Sequence, residues 1–219
     1  MPSQPEEATP PTAPRDDAPP QPQQEAPSAS PFPPPPILTL TKSILRTIHA
    51  ADAPAIQRAA NSPGVAKYMS LRFPSPYTLD DAKFWVGYAS AFTAPGRPDV
   101  LPSLAICDRA TGTLLGGIGI KTREDIEAHS FEVGYWLGED GWGKGVMSEA
   151  CRAYVKWVFE TYPAIIRLEA GVFEGNDASV KVLERSGFVY EGTRRKAGMK
   201  HGVVFDILVF GLLREECTW

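Results

Sequence analysis

The chain has 219 residues and a formal net charge of −4, and 14 of its 22 prolines fall within the first 36 residues. Those 36 residues also carry five acidic residues and one arginine, so the remaining 183 residues are close to neutral. A near-neutral domain lacks the basic surface typical of nucleic-acid or anionic-membrane binding. No apolar run approaches the ~20 residues needed to span a bilayer. We therefore expect neither a nucleic-acid nor a membrane partner.

Residues 1–36 are interpreted as a disordered, proline-rich, acidic tail. Their single aromatic residue, Phe32, cannot bury enough apolar surface to offset the entropy of ordering. The run Pro33–Pro36 favours polyproline II, which an SH3- or WW-like partner can bind, although a solvated tail is the simpler interpretation. With no basic start and no apolar stretch, the segment is not a secretory signal. A folded domain over 37–215 and a short tail over 216–219 complete the predicted organisation.

The three cysteines, Cys107, Cys151 and Cys217, show no metal-ligand spacing and cannot all pair within one chain. This usage is typical of reduced thiols in an intracellular protein. We therefore expect a cytoplasmic or nuclear protein without a metal site. Either a monomer or a homodimer is expected.

The first half of the domain predicts one strand, two helices and a loop. Residues 37–49 indicate a strand with a bend. Asp52 is then expected to cap a short helix that has a proline in its first turn. Residues 64–77 predict a loop with a helical turn. Thr78, with Asp81 three residues later, forms a capping pair for a helix to about residue 92. That helix is expected to bury Leu79, Phe84, Trp85 and Tyr88.

The next strands follow one another closely, which favours an antiparallel meander over parallel crossovers. They are expected near 104–106, at 113–120 and at 129–138. The second half then alternates, with a helix over 146–160, a strand over 165–173 and a helix from Asn176 to Gly187. Two last strands are expected, over about 188–196 and over 203–213, the latter apolar enough to be buried on both faces.

A glycine-dense turn lies between the 129–138 strand and the 146–160 helix. Glycines at 138, 141, 143 and 145 allow close backbone approach and can point N–H groups into one concavity, which binds an anion at the positive end of the helix. A tight turn with no ligand is the alternative. A P-loop is excluded, because Gly145 occupies the position where that motif needs a hydroxyl for Mg²⁺, and a Rossmann fingerprint is excluded, because the third glycine is missing. The ligand that remains is a pyrophosphate bound without metal, and coenzyme A carries a pyrophosphate.

Several motifs in order, over about residues 38–214, resemble the GNAT acetyltransferases, in particular the branch of the ribosomal-protein N-terminal acetyltransferases RimJ and RimL. The motifs are Leu45-Arg46, Phe131–Leu137, Trp142–Ala150, Asn176-x-x-Ser179, and Val182–Phe188 followed by Glu191-Gly192. The resemblance implies a mixed α+β GNAT fold, in which a mostly antiparallel, twisted sheet of about seven strands has a splay and is flanked by about four helices.

The resemblance also implies acetyl-CoA as cofactor and N-acetyl transfer to a primary amine in a ternary complex. The pantetheine arm would pair with the strand that ends at Leu137, where it splays from the 165–173 strand. The residues that it implies for cofactor binding are Tyr135, Trp136, Leu137, Trp142, Gly143, Lys144, Gly145, Val146, Met147, Asn176 and Ser179. Asn176 and Ser179 are equally explained as helix caps.

For the chemistry, backbone N–H groups near Val133 to Trp136 are the expected oxyanion donors. Glu132, beside the thioester in the family's arrangement, is the candidate general base. Leu183 stands where many relatives carry a tyrosine, so Tyr190 is the substitute candidate for the general acid. Met147 also departs from the family's small residue. These two departures motivate an alternative, a non-catalytic CoA-binding adaptor whose proline-rich tail recruits partners.

The acceptor cleft is expected between the 62–77 loop and the turn between the last two strands. The candidate substrate-binding residues are Tyr68, Arg72, Phe73 and His201. An aromatic mouth with one cation suits a protein N-terminus and a small amine equally, so the sequence leaves the acceptor open.

Overall fold

A computed structural model describes residues 32–218. Eight strands form one sheet in the order β1-β2-β3-β4-β5-β6-β8-β7. The strands are β1 (Pro36–Thr39), β2 (Ser43–Thr47), β3 (Leu104–Asp108), β4 (Leu114–Thr122), β5 (Ser130–Leu137), β6 (Arg167–Phe173), β7 (Val189–Lys200) and β8 (Val203–Leu213). The helices are α1 (Ala53–Ala60), α2 (Pro63–Lys67), α3 (Leu79–Ala91), α4 (Val146–Thr161) and α5 (Asp177–Arg185). No helix within this described range is long and apolar enough to cross a membrane.

The first five strands form the predicted meander, each antiparallel to the next. β5 and β6 are parallel neighbours, because α4 carries the chain back across the sheet between them. β8 then pairs antiparallel with β6, and β7 forms the edge outside β8. The mixed α and β architecture with a mostly antiparallel sheet is thus confirmed, with one strand and one helix more than expected.

Each face of the sheet carries its own core. On one face, α4 packs its buried side against strand residues that include Leu45, Phe131 and Leu168. Tyr154 of α4 is fully buried there, and its hydroxyl donates to the Pro102 carbonyl at 2.6 Å. The opposite face is covered by α1 and α3 over the first strands, around Ile56 and other apolar side chains. The two cores hold the middle of the sheet rigid.

The predicted bent strand over 37–49 is instead a hairpin, β1 and β2, with its turn at Leu40–Lys42. The sequence does not reveal the break, because residues 37–49 contain no Gly, Pro, Asn or Asp, the residues that most often mark a turn. The helix after Asp52 forms, but the Asp52 side chain does not cap it. The carboxylate accepts from the His49 N–H at 2.8 Å, in the capping box of the short 3₁₀ turn Ala50–Asp52. The same carboxylate pairs with Arg46 through two bonds of 2.7 and 2.8 Å, and both side chains are at most 3% exposed.

The predicted burial of two elements is wrong. The capping pair of α3 is present, but three of the four side chains expected in the core, Leu79, Phe84 and Tyr88, are 42–78% exposed. The helix turns its small residues, Ala82 and Ala89, to the sheet with Val86, which allows a close approach. β8 is fully buried only near its end, because among residues 32–218 the core under α1 and α3 includes no residue of this strand.

Part of the predicted tail belongs to the folded domain. The Phe32 ring lies 5.3 Å from the His49 ring and 5.5 Å from the Arg46 guanidinium carbon, and β1 begins at Pro36. The rest of the predicted tail, residues 1–31, lies outside the described residues. At the other end, Cys217 packs against the larger core.

Candidate active site

β5 and β6 separate in the middle of the sheet. They pair at three positions only, the last being Glu132 with Glu169. Beyond that point, β5 continues to Leu137 beside β4, and β6 continues to Phe173 beside β8. Within the described chain, the β6-facing edge of Val133–Leu137 therefore has no strand partner. Unpaired N–H and C=O groups at such an edge can pair with an extended ligand.

The glycine turn lies at the open end of this splay. Gly143 and Gly145 have φ of 70° and 74°, a left-handed conformation that glycine adopts without strain. Gly145 is the N-cap of α4, and no side chain in the described part of the molecule caps the helix there. The first N–H groups of a 16-residue helix are thus left without intrahelical partners, at its positive end. Such a cradle fits a pyrophosphate.

Lys42, which the sequence analysis missed, brings a cation to this turn. Its Nζ donates to the Lys144 carbonyl at 2.7 Å, and a Cβ on Gly145 would lie 2.8 Å from the same Nζ. Glu149 of α4 holds the β1–β2 turn in place, because its carboxylate accepts from the backbone N–H groups of Thr41 and Lys42 at 3.0 Å each. No sequence signal relates residues a hundred positions apart, so only the fold places Lys42 here.

Trp142 and Met147, two large side chains beside the glycines, have structural explanations. The Trp142 indole N–H donates to the Leu137 carbonyl at 2.7 Å, which ties the turn to the end of β5. Met147 is 7% exposed and packs into the larger core. Since its side chain points away from the turn, the departure from a small residue does not crowd the cradle.

A pair of hydroxyls lies on the α5 side of the splay. The Tyr135 and Ser179 hydroxyls are 2.8 Å apart. Burial raises the pKa of Tyr135 above its ordinary value, so its phenol stays neutral at physiological pH. Asn176 caps α5 through its side-chain oxygen, which accepts from the Ser179 N–H at 3.2 Å. The fold thus brings together Tyr135, Asn176 and Ser179, three of the residues assigned from sequence to the cofactor arm.

Glu132 lies at the branch point of the splay, within a row of ion pairs. Its carboxylate accepts from Lys121 at 2.5 Å and from Arg123 at 3.0 Å. Arg123 also contacts Glu169 at 2.5 Å, and Arg167 continues the row from Glu169 to Glu191. The side chain is 25% exposed. An incoming ammonium group would therefore meet a carboxylate that already has two cationic partners.

The strand order argues against Tyr190 as the proton donor. Tyr190 lies on β7, the edge strand, so β8 and β6 separate it from the splay. The register places it with Phe210 and Ala170, on the face opposite to Glu132. Its hydroxyl bonds Thr193 at 2.6 Å. This side chain is too remote for direct proton transfer.

The residues predicted for the acceptor lie on the Glu132 face or at its rim. The Phe73 ring is 5.9 Å from the Trp136 ring, and the Tyr68 hydroxyl donates to the Gly175 carbonyl at 2.8 Å. Arg72 is exposed on the same loop, and His201 is exposed in the β7–β8 turn with φ of 49°. The loop and the β7–β8 hairpin are in contact, because the Lys200 ammonium donates to the Ala66 carbonyl at 2.6 Å.

Comparison with known proteins agrees with this geometry. Residues 42–189 match the family model described as an acetyltransferase (GNAT) domain. An uncharacterized N-acetyltransferase, p20 of Bacillus licheniformis, is 30% identical over 173 residues, which cover 78% of this chain and 93% of that protein.

Two solved structures share the fold. The ribosomal-protein-S5-alanine acetyltransferase of Vibrio fischeri superposes with a TM-score of 0.68 at 21% identity, over 83% of this chain and 98% of that one. RimL, a ribosomal L7/L12 α-N-protein acetyltransferase in complex with coenzyme A, gives 0.68 at 18% identity, over 82% and 98%. The chain therefore belongs to the GNAT acetyltransferase family, as an N-acetyltransferase that uses acetyl-CoA.

Proposed function

We propose that the protein moves the acetyl group to a primary amine, either a protein N-terminus or a small amine, by direct attack while both substrates are bound. The observation that carries this proposal is the unpaired edge of β5, which begins beside Glu132 and leads to the uncapped start of α4. One end of this groove suits a pyrophosphate and the other holds acid–base side chains, so donor and acceptor can meet between them.

The cofactor is assigned to the groove residue by residue. Backbone N–H groups from Gly143 to Met147 would hold the pyrophosphate, with Lys42 and Lys144 beside them and Trp142 fixing the turn. The edge from Tyr135 to Leu137 would pair with the pantetheine arm, and Asn176 and Ser179 would line its other side. When bound, the cofactor supplies an activated thioester, and no metal or covalent acyl-enzyme is required.

Acyl transfer needs donors for the carbonyl oxygen and an acceptor for the ammonium proton. Backbone N–H groups between Val133 and Trp136 lie on the free edge and would serve as the donors. We assign the proton acceptor to Glu132, directly or through a water molecule. Lys121 is 70% exposed, so the substrate ammonium can replace it on the Glu132 carboxylate at little cost.

The proton for the leaving thiolate is assigned to the pair of Tyr135 and Ser179. Burial raises the pKa of Tyr135, so the phenol keeps its proton at physiological pH and can donate a hydrogen bond to the developing thiolate. Proton transfer follows only once the sulfur is the stronger base in the desolvated groove. This pair replaces Tyr190 and also the missing tyrosine at Leu183, which is fully buried in the core.

The acceptor side is assigned to Tyr68, Arg72, Phe73 and His201, on the 62–77 loop and the β7–β8 turn. The contact between the loop and Lys200, next to this turn, supports the assignment. Two of the structural relatives bear names as acetyltransferases of ribosomal proteins, one of them for the α-amino group. That supports a protein N-terminus as the first acceptor class to test, with small amines as the second.

The test is an acceptor screen with acetyl-CoA, in which free thiol is followed for N-terminal peptides and small amines. We expect turnover with at least one class and a fall of at least about a hundredfold in Glu132→Gln. Lys121→Gln is the matched control, since it changes the same ion pair but leaves the carboxylate. Binding of CoA with no transfer to any amine would favour the adaptor function instead. Wild-type turnover in Glu132→Gln would exclude Glu132 as the base.

A further inference from the structure

The segment from Pro63 to Phe73, here named the strap, is attached to the domain at two distant points. The Lys200 ammonium donates to the carbonyl oxygens of Ala66 at 2.6 Å and Met69 at 2.8 Å. The Tyr68 hydroxyl donates to the Gly175 carbonyl at 2.8 Å. Lys200 ends β7, whereas Gly175 lies between β6 and α5, so the strap is joined to both elements.

The strap crosses the Glu132 face of the sheet. Strand alternation from Glu132 places Trp136 on that face, and alternation from its partner Glu169 places Phe173 there too. Phe73 of the strap approaches Trp136, with ring centroids 5.9 Å apart. On the far side of the splay, the Phe173 and Phe205 rings are 4.6 Å apart, beside the hairpin that carries Lys200. The strap therefore extends on the Glu132 face from the end of β5 to the β7–β8 hairpin, across the part of the sheet where β5 and β6 are not paired.

Lys200 is the strongest attachment of the strap. α2 has five residues, too few to be stable alone, so its position depends on tertiary contacts. Hydrogen bonds from a charged donor are about twice as strong as neutral ones, and one ammonium here makes two of them. The site is partly desolvated, and burial lowers the pKa of Lys200. Tyr68 contributes one neutral bond by comparison.

We propose that Lys200 is a positioning residue for the acceptor, which holds the strap over the cleft so that only a slim primary amine at the end of a chain can enter beneath it. This inference rests on the proposed function, which places the acceptor on the Glu132 face. It assigns Lys200 no contact with the reacting atoms. Loss of its two hydrogen bonds loosens the middle of the strap and weakens acceptor binding. The glycine turn and the start of α4, where we assign the pyrophosphate, keep the contacts of Trp142 and Lys42 that hold them.

The experiment compares Lys200→Met, which keeps the length of the side chain, with Lys200→Arg, which can still donate to a carbonyl. Lys196→Met is the control, because this lysine of the same strand is exposed and its hydrogen bond to Asp206 comes from the backbone N–H, which the substitution keeps. Hydrogen exchange of the amides over 64–73 is measured without substrate. Acceptor KM, kcat and the CoA Kd are then measured for all variants.

We expect Lys200→Met to speed amide exchange over 64–73 and to raise the acceptor KM by about tenfold, which corresponds to 1.4 kcal/mol. Its kcat at saturating acceptor and its CoA Kd should stay within about twofold of wild type. The arginine variant should recover part of the KM, and the control should match wild type. Discrimination between slim and bulky N-terminal residues should also decrease in Lys200→Met.

Unchanged exchange over 64–73 in Lys200→Met, or a fall in kcat with an unchanged KM, would overturn the positioning role and leave the proposed function intact. An equal loss of CoA affinity would also overturn it, as a sign of general misfolding. A wild-type protein that transfers acetyl groups to no amine would contradict the proposed function itself, and the acceptor role of Lys200 with it.

Discussion

Alanine at Gly145 and alanine at Gly143 should have equal effects on folding but different effects on cofactor binding. Both glycines have left-handed φ, 74° and 70°. An L-residue in that conformation costs about 1–2 kcal/mol. For a domain of this size, 1 kcal/mol lowers Tm by roughly 2–4 °C, so each variant should melt about 2–8 °C below wild type.

The surroundings of the added methyl group separate the two variants. At Gly143 it would meet nothing within 4 Å, whereas at Gly145 it would lie 2.8 Å from the Nζ of Lys42. The flexible lysine can move away, so folding loses little more. Its ammonium then leaves the start of α4, where we assign the pyrophosphate. An exposed ion pair contributes about 0.5–1 kcal/mol, which corresponds to a CoA Kd about two- to fivefold weaker in Gly145→Ala than in Gly143→Ala.

Calorimetric titration with CoA at two salt concentrations measures this difference, with Lys42→Met as the third variant. Lys42→Met should weaken CoA binding by the same factor. In the double variant Lys42→Met/Gly145→Ala, the part of the CoA affinity that depends on Lys42 should not be lost a second time. The difference should also shrink at high salt, because exposed charges are screened. Equal Kd values for the two alanine variants, or a wild-type Kd in Lys42→Met, would refute a role for Lys42 at the pyrophosphate.

Three further results are expected. Arg46→Met should destabilise the protein by about 3–5 kcal/mol and lower Tm by roughly 6–20 °C in a thermal melt, because Asp52 remains buried without its cation; addition of Asp52→Asn should recover part of the loss. Tyr135→Phe should lower kcat at least about tenfold in the thiol-release assay with little change in CoA Kd, since it removes the proposed proton donor. The hydrogen bond from Arg167 lowers the pKa of Glu191 in the folded protein. The stability that this ion pair contributes is therefore complete above the pKa of Glu191 in the unfolded chain, about 4.3, and is lost as pH falls through its pKa in the folded protein. Melts between pH 3 and 6 should therefore show a smaller acid-induced decrease in Arg167→Met, and equal pH profiles would contradict this linkage.

The sequence was most informative where local rules decide the structure. The Thr78–Asp81 capping box, the cap at Asn176 and the helix after Gly145 depend on a few adjacent residues, and all three are present. The burial of α3 could not be predicted this way. The apolar and the small residues of α3 lie on overlapping faces. Periodicity alone therefore predicted that the large side chains of Phe84 and Tyr88 are buried, whereas in the structure the alanines are buried because they allow close packing on the sheet.

The same distinction applies to the candidate site. Its backbone parts are the glycine turn and the strand before it; they are contiguous in sequence, and the sequence predicted both of them at these positions. Its side-chain contacts depend on residues that only the fold brings together, such as Lys42 at the turn and Lys200 at the strap. Tyr190 was misplaced for a related reason, because closeness in sequence to Gly187 and Phe188 gave no information about the strand order β6-β8-β7.

The row of ion pairs around Glu132 bears on how this residue can act as the proton acceptor. It contains three carboxylates and three cations, from Lys121 through Glu132, Arg123, Glu169 and Arg167 to Glu191. Because the charges balance, arrival of an ammonium group leaves one cation in excess until a proton departs. Of the three cations, Lys121 is the most exposed and can move into water at least cost. The acceptor ammonium then takes the place of Lys121 on Glu132. Because Lys121→Gln removes this competitor, it should lower the acceptor KM. If the ion pairs only stabilise the fold, KM should not change.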